Sequence, residues 1–117
     1  MTPYDILMSE LAEADVEVIF ERLLLRSPNS AAQFRDGIED AIASLSLMHN
    51  RCAVAPDNKQ LEHPMRQLVY RYGTTAYRIL FSVFETKDDA SGLVRVLRVR
   101  HGAQQHLGRG TEQSDGD

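Results

Sequence analysis

Cysteine is almost absent from this 117-residue chain, because Cys52 is the only one. A single cysteine excludes an internal disulfide and disfavours a thiolate-rich metal site. The sequence also has no hydrophobic run as long as a membrane-spanning helix requires, and its first eleven residues include Asp5 and Glu10 instead of a basic start followed by an apolar stretch. We therefore expect a cytoplasmic protein with no membrane partner.

Motifs of several catalytic classes are missing as well. The seven glycines never group as they do in a phosphate-binding loop, and Ser82 and Ser91 lack the elbow motif of a serine nucleophile. His49, Cys52 and His63 are three scattered donors in or beside a loop, whereas a structural zinc site needs four. We therefore predict no cofactor and no metal.

Charge is unevenly distributed along the chain. Its net charge of −4 disfavours a nucleic-acid partner. However, residues 1–65 carry five basic and eleven acidic side chains, residues 66–109 carry eight basic and three acidic, and residues 110–117 carry three acidic. The basic third is a candidate surface for an anionic partner. The alternative is that each arginine solvates the outer face of a sheet.

Two apolar stripes at helical spacing predict a helical hairpin. Ser9 is the expected N-cap of the first helix, which should end near Arg26, and Ser27-Pro28 is a favourable start for the second. The first stripe comprises Ala12, Val16, Ile19, Phe20 and Leu23, and the second comprises Phe34, Ile38, Ala41, Ile42 and Leu45. Because both stripes are apolar, we expect them to face the core.

Strands are predicted on both sides of the hairpin. Tyr4 to Met8 is a short strand candidate, whereas residues 49–64 have no periodicity and should form a loop. Three strands then follow at Met65 to Tyr72, Ala76 to Glu85 and Leu93 to His101, joined by turns at Gly73-Thr74-Thr75 and at Thr86 to Gly92.

The chain is long enough for one domain, since 43% hydrophobic residues suffice for one modest core. Residues 108–117 contain Gly, Ser, Thr, Gln and acidic residues but no large apolar side chain, so they cannot offset the entropy of ordering. We predict a folded domain at 1–107 and a disordered acidic tail at 108–117.

Several segments resemble the RelE/ParE toxins of bacterial type II toxin–antitoxin systems. Two strands carry most of the resemblance. One contains Tyr77-Arg78-Ile79, and in the other, from Leu93, hydrophobic residues alternate with arginines up to the exit Arg100-His101-Gly102. Ala14-Asp15-Val16-Glu17-Val18-Ile19-Phe20 is similar to the family's Ala-Asp-Leu-x-x-Ile-aromatic signature, and Ala31-Ala32-Gln33-Phe34 looks like the start of its second helix. Arg66 stands where the family usually has an arginine that opens the second strand. The usual glycine-arginine pair in the loop before that strand is absent.

The resemblance implies an α+β fold with an N-terminal strand, an antiparallel helical hairpin and a three-stranded antiparallel sheet. It also implies a plasmid-stabilisation toxin held inactive in a hetero-oligomer with its cognate antitoxin. ParE-type members inhibit DNA gyrase, and we prefer this activity. The alternative is RelE-like cleavage of mRNA in the ribosome. A decayed toxin that retains antitoxin binding alone is a third hypothesis, because the loop glycine is missing.

Basic residues of the last two strands are the predicted site. The residues expected to contact the target or the antitoxin are Arg66, Arg78, Arg98, Arg100 and His101. Arginine suits charge-assisted contacts with paired oxygens. If the protein is an enzyme, we expect a metal-independent endoribonuclease with candidate catalytic residues Arg66, Arg78, His101 and His106.

The resemblance makes an enzymatic role the less favoured one. Ribonuclease members tend to use lysines and a late tyrosine for proton transfer. The basic third of this chain has one lysine, Lys87, and no tyrosine after Tyr77. A gyrase inhibitor needs a shaped cationic surface and no proton shuttle. Gyrase inhibition is therefore the activity that requires fewer properties of these residues.

Overall fold

The computed structural model describes residues 3–48, 65–85 and 92–102. Across these ranges the chain forms β1 (Asp5–Met8), α1 (Glu10–Arg26), α2 (Pro28–Ala43), α3 (Leu45–Met48), β2 (Arg66–Tyr72), β3 (Thr75–Glu85) and β4 (Gly92–His101). The predicted loop at 49–64, the tail at 108–117 and most of the turn before Gly92 lie outside the described residues.

The two main helices begin where the capping residues predict. The Ser9 hydroxyl accepts a hydrogen bond from the backbone N–H of Ala12 at 3.0 Å, and the Ser27 hydroxyl accepts one from Ser30 at 3.2 Å. Each bond satisfies one of the unpaired N–H groups in a first helical turn. Pro28 occupies the first position of α2, where its missing N–H has no cost. Both predicted helix starts are confirmed.

The strands form one mixed sheet in the order β1-β4-β3-β2. The β2–β3 and β3–β4 pairs are antiparallel, as predicted, whereas β1 runs parallel to β4. Thus the N-terminal strand joins the three-stranded antiparallel sheet as a fourth strand. Between β2 and β3, Gly73 has a φ of 60°, a left-handed conformation that glycine adopts without steric cost and that suits a two-residue hairpin turn.

One face of the sheet packs against the helices. Buried side chains from the three helices, β3 and β4 form the core, and the largest fully buried ones are Phe34, Phe81, Ile38, Leu45, Ile79, Val94 and Val96. The Phe34 ring lies 6.0 Å from the Tyr70 ring and 5.3 Å from the Tyr77 ring, between centroids. Burying one such side chain stabilises the fold by about 1.5 to 3 kcal/mol. Packing against this core therefore stabilises both helices.

Phe20 departs from the predicted stripe. We expected it in the core, but it is not part of the core cluster. The guanidinium carbon of Arg35 on α2 lies 3.9 Å from the centroid of its ring. Phe20 is therefore at the margin of the α1 stripe, where the Arg35 guanidinium covers its ring.

Gly37 allows β2 to approach α2 closely. A Cβ atom at this position would lie 2.1 Å from the hydroxyl oxygen of Tyr70. The same hydroxyl is 3.5 Å from the backbone carbonyl of Phe34. The lack of a side chain at Gly37 thus makes room for a tyrosine of the edge strand against the helix.

Across 3–48, 65–85 and 92–102, no helix combines the length and apolar composition that crossing a membrane requires.

Candidate functional site

The predicted arginines lie on different faces of the sheet. Ile79 and Phe81 belong to the helix-covered core, and side chains alternate between faces along a strand, so Arg78 projects from the opposite face. Arg66 lies directly opposite Phe81 in the β2–β3 register and shares its helix-covered face. The structure therefore does not bring Arg66 and Arg78 together.

Arg78 is held within the sheet. Its side chain is 6% exposed, and its Nε donates a hydrogen bond to Oε1 of Gln67 on β2 at 3.0 Å. In the neighbouring strand it lies directly opposite Arg100. A buried guanidinium that donates to a neighbouring strand is oriented by the fold, so the geometry gives Arg78 a clear structural role.

Arg98 is oriented by a carboxylate on α1. Its Nε and Nη2 donate to the two carboxylate oxygens of Asp15 at 2.8 Å and 3.0 Å. The backbone N–H of Val99 donates to the same carboxylate at 2.8 Å. The hydrogen bond that Arg98 donates to Asp15 raises the pKa of Arg98, since it stabilises the charged guanidinium. We call this arrangement of Asp15, Arg98 and Val99 the Asp15 cap.

The Asp15 cap lies where strand pairing stops. β1 pairs with residues 93–96 of β4 and reaches no further. Beyond residue 96, the Ser9 hydroxyl donates to the Leu97 carbonyl at 2.8 Å. The Asp15 carboxylate accepts from the backbone N–H of Val99. The ladder with β3 shifts by one residue here, since Leu80 pairs with Arg98 but Phe81 pairs with Val96. Such a bulge redirects the strand, and α1 side chains satisfy its outer edge.

A groove of about 610 Å³ opens next to the Asp15 cap, between the second half of α1, the β2–β3 turn and the end of β4. Its basic and aromatic lining comprises Arg22, Arg26, Tyr72, Tyr77, Arg98, Arg100 and His101. We call it the basic groove. Apart from the ion-paired Arg98, the cations come from two elements that are more than seventy residues apart in sequence.

Tyr77 is central to the basic groove. Burial raises the pKa of its hydroxyl, and the positive charges of Arg22 and Arg26 partly offset that rise. The two arginines are thus close enough to act on the Tyr77 hydroxyl electrostatically. The His101 ring packs against the Tyr77 ring at 5.7 Å between centroids with an interplanar angle of 71°. This edge-to-face contact fixes the position of an otherwise exposed histidine.

The structure gathers part of the predicted site. Arg98, Arg100 and His101 line the basic groove, Arg78 is the cross-strand neighbour of Arg100, and Arg66 lies apart on the other face. His106 is outside the described residues. The roles of these residues stay predictions, because their positions alone do not test them.

Sequence reasoning missed three contributors. Asp15 belongs to the Ala-Asp signature of the first helix, but the sequence does not reveal that it binds β4. Arg22 and Arg26 are four residues apart, and this spacing places both on one side of α1. That spacing was a usable signal, but it does not show which strand they face.

No metal centre is found within the parts of the chain that the structure describes. These residues contain no group of three His, Cys, Asp or Glu side chains that could hold an ion. The three scattered donors of the sequence, His49, Cys52 and His63, lie outside the described residues.

Comparisons with known proteins place this arrangement in a class. A chain from the solved structure of the chromosomal ParDE TA system from P. aeruginosa has a similar fold, with a TM-score of 0.61 and 18% sequence identity over 84% of this chain and 95% of that one. The model of the ParE toxin family of the type II toxin–antitoxin system parDE matches residues 6–106. The chain therefore belongs to the ParE toxin family. No curated protein matches it.

Proposed function

We propose that this protein is a toxin that inhibits DNA gyrase and is neutralised by a cognate antitoxin. The observation that carries the proposal is the match to the ParE toxin family, which spans residues 6–106 and so covers the described helices and strands except the first residue of β1. ParE-type members act on gyrase, whereas RelE-type members on a related scaffold cleave mRNA. The fold does not distinguish the two activities, so the residues must.

The side chains favour inhibition by contact over RNA cleavage. Cleavage at a ribose 2′-hydroxyl needs a general base and a general acid near the phosphate. Within 3–48, 65–85 and 92–102 there is no lysine. The Tyr4 and Tyr72 hydroxyls donate to Glu85 and to the Ser30 carbonyl, so the fold already uses them. Burial keeps Tyr77 protonated. His101 is then the main proton-transfer candidate in the described residues.

The antitoxin is proposed to bind along β2. In the described part of the chain, β2 is the last strand of the sheet and pairs with β3 alone. An edge strand offers unpaired backbone groups to an added strand of a partner. Val69 is 38% exposed on this strand, and Arg71 beside the turn is exposed too. A partner peptide with apolar and acidic side chains at alternate positions would match this edge.

This proposal also sets where the protein acts. Gyrase acts on bacterial DNA, so a gyrase toxin works in the cytoplasm. As a toxin–antitoxin pair, it would stabilise the plasmid or locus that encodes it.

A supercoiling assay tests the gyrase proposal. The purified full chain should inhibit supercoiling by gyrase, and the small protein encoded next to the toxin gene should restore it. Induced expression should trigger the DNA-damage response while bulk mRNA remains intact. Early, codon-phased mRNA cuts would instead establish the ribosome-dependent endonuclease. Antitoxin binding with neither effect would establish the decayed toxin.

Histidine variants separate contact from catalysis. If the protein inhibits gyrase by surface contact, His101→Gln and His106→Gln should leave toxicity nearly unchanged unless the histidine itself contacts the target, because they remove no proton shuttle from that process. An acid or base role would cost about 10²- to 10⁴-fold in cleavage rate. Dose-dependent growth arrest measures both variants against the parent chain.

Variants of the edge strand map the antitoxin. Val69→Glu and Arg71→Glu should each weaken the antitoxin complex, because they place an anion where we expect apolar and acidic partner groups. Arg95→Glu is the matched control, since Arg95 is also exposed but lies on β4. Equal loss of affinity in all three variants would contradict the proposed edge.

A further inference from the structure

We propose that the groove between β1 and the helical hairpin binds a small organic cation, with an ammonium group carried on an apolar body. This groove has a volume of about 550 Å³, and its lining comes from β1, α1 and α2. We call it the β1 groove. It shares no lining residue with the basic groove, and it contains none of the residues that we assign to the target or to the antitoxin. The inference is therefore independent of the proposed gyrase inhibition.

The floor of the β1 groove is apolar. Ile6 and Met8 come from β1, and Val16 comes from α1. Ile38 and Ile42 of α2 complete the floor and are buried, whereas the other three side chains are half-buried. The half-buried side chains keep apolar area in contact with water. An apolar ligand body that covered this area would gain the free energy of releasing that water.

Acidic side chains of both helices border this floor. The lining contains three carboxylates against one guanidinium, a formal net charge of −2. The guanidinium belongs to Arg35, which donates to the Glu17 carboxylate at 2.8 Å and lies 3.9 Å from the centroid of the Phe20 ring. Glu13 and Glu39 are the other two carboxylates, and both are exposed. The charge of the groove therefore favours a cation.

The helical hairpin places Glu13 and Glu39 in one layer. The two helices are joined by Ser27 alone and run antiparallel, and the Glu17–Arg35 ion pair marks their register. Glu13 lies one turn before Glu17 on α1. Glu39 lies one turn after Arg35 on α2, so both carboxylates belong to the layer next to the ion pair. One layer pairs an anion with a cation, and the next brings two anions together. An ammonium ion in that second layer would attract both carboxylates.

The apolar floor and the acidic border together select the class of ligand. The volume of about 550 Å³ lies within the range of about 300 to 1,000 Å³ typical of small-ligand sites. A hard divalent cation would use Glu13 and Glu39 but not the floor, and it prefers about six or more oxygen ligands. An apolar anion would use the floor but would be repelled by both carboxylates. An amine with an apolar body uses both features.

Binding to the full chain is measured with three naphthyl compounds of matched size. Naphthylmethylammonium is the cation, naphthylmethanol is the neutral control and naphthoate is the anion. Chemical-shift changes at the backbone amides of Ile6, Val16 and Ile42 report occupation of the groove. We expect the cation to bind about fivefold more tightly than the alcohol, and naphthoate to bind most weakly, because the carboxylates attract the cation alone.

Paired variants locate the binding. Glu13→Gln with Glu39→Gln should lower the affinity for the cation about fivefold and leave the affinity for the alcohol within about twofold. Glu10→Gln with Glu21→Gln is the matched control, because it removes the same charge from exposed positions of α1 outside the groove. It should change the affinity for the cation by less than about twofold. The thermal midpoints of both pairs should stay within about one or two degrees of the parent chain.

Five results would overturn the proposal. The first three are absence of binding, equal affinity for the cation and the alcohol, and equal weakening by both variant pairs. The fourth is displacement of the cation by an equal concentration of Ca²⁺, which would identify a metal site. The fifth is tighter binding of a designed leucine–lysine amphipathic helix, which would identify a partner helix. Because gyrase and antitoxin are absent from the assay, its outcome does not depend on the supercoiling result.

Discussion

The two halves of β4 differ in what hydrogen-bonds their outer edge, the edge that faces away from β3. The first half, residues 93–96, pairs with the backbone of β1 in parallel register. The second half, residues 97–101, extends past β1. There the side chain of Ser9, the N-cap of α1, bonds Leu97, and the side chain of Asp15 on α1 bonds Val99. Backbone pairing closes one half, and a serine and an aspartate close the other.

This difference separates two arginines that look alike in sequence. Arg98 and Arg100 alternate along the same strand, but Arg98 is bound by both oxygens of Asp15, whereas Arg100 lines the basic groove with Arg22 and Arg26. An arginine in a predicted cationic surface can thus be part of the scaffold. The Asp15 cap therefore orients Arg98, whereas Arg100 lies where β4 borders the basic groove.

Removing the Asp15 cap should have the largest effect. Asp15→Ala leaves Arg98 without its carboxylate and the Val99 N–H without its acceptor, so we expect the free energy of unfolding to fall by about 2 to 3 kcal/mol. Glu17→Ala is the matched control on the same helix, because Glu17 pairs with Arg35 at the surface and should cost less than about 1 kcal/mol. Urea denaturation measures both. Equal losses would show that the cap is no stronger than a surface ion pair.

Arg98 and Arg100 should differ by a smaller amount. Arg98→Gln removes two of the three hydrogen bonds to Asp15 but keeps the one from Val99, so we expect a loss of about 1 to 1.5 kcal/mol. Arg100→Gln removes no hydrogen bond to Asp15, so we expect it to cost less than Arg98→Gln. Urea denaturation of both variants tests this difference. It is wrong if Arg100→Gln is the more destabilising of the two.

Alkaline pH provides a third test, centred on Tyr77 beneath the second half of β4. Burial raises its pKa above the ordinary value of 10.0, so the folded state holds this proton more tightly than the unfolded chain does. The resulting stabilisation is present below about pH 10 and is lost as pH rises through the folded pKa. Tyr77→Phe should make the decline in unfolding free energy between about pH 9.5 and 11 shallower. Parallel profiles for both proteins would contradict this.

The smallest expected effect concerns the acidic tail. Truncation after Leu107 should move the thermal midpoint by no more than about one or two degrees, since surface changes away from packed features are usually worth about 0.5 kcal/mol or less. A large fall in the midpoint would show that the tail packs on the domain.

Much of the fold follows from the sequence by itself. The capping serines, the apolar spacing of the helices and the β-prone runs act over a few residues, so their signals are written locally. They predict both helix starts, the four strands, the turn at Gly73 and nearly all the core positions. The ParE-like resemblance supplied the family, which the comparison confirms.

Only the tertiary structure decided how β4 is closed and which cations share a surface. The parallel pairing of β1, the Asp15 cap and the meeting of Arg22 and Arg26 with Arg100 join residues about 75 to 90 positions apart. No local spacing encodes such contacts, because they depend on the helix hairpin crossing over the sheet. Alternation along β4 predicts equivalent positions for Arg98 and Arg100. The position of α1 makes them different, since the Asp15 carboxylate binds the Arg98 guanidinium, whereas Arg100 lines the basic groove.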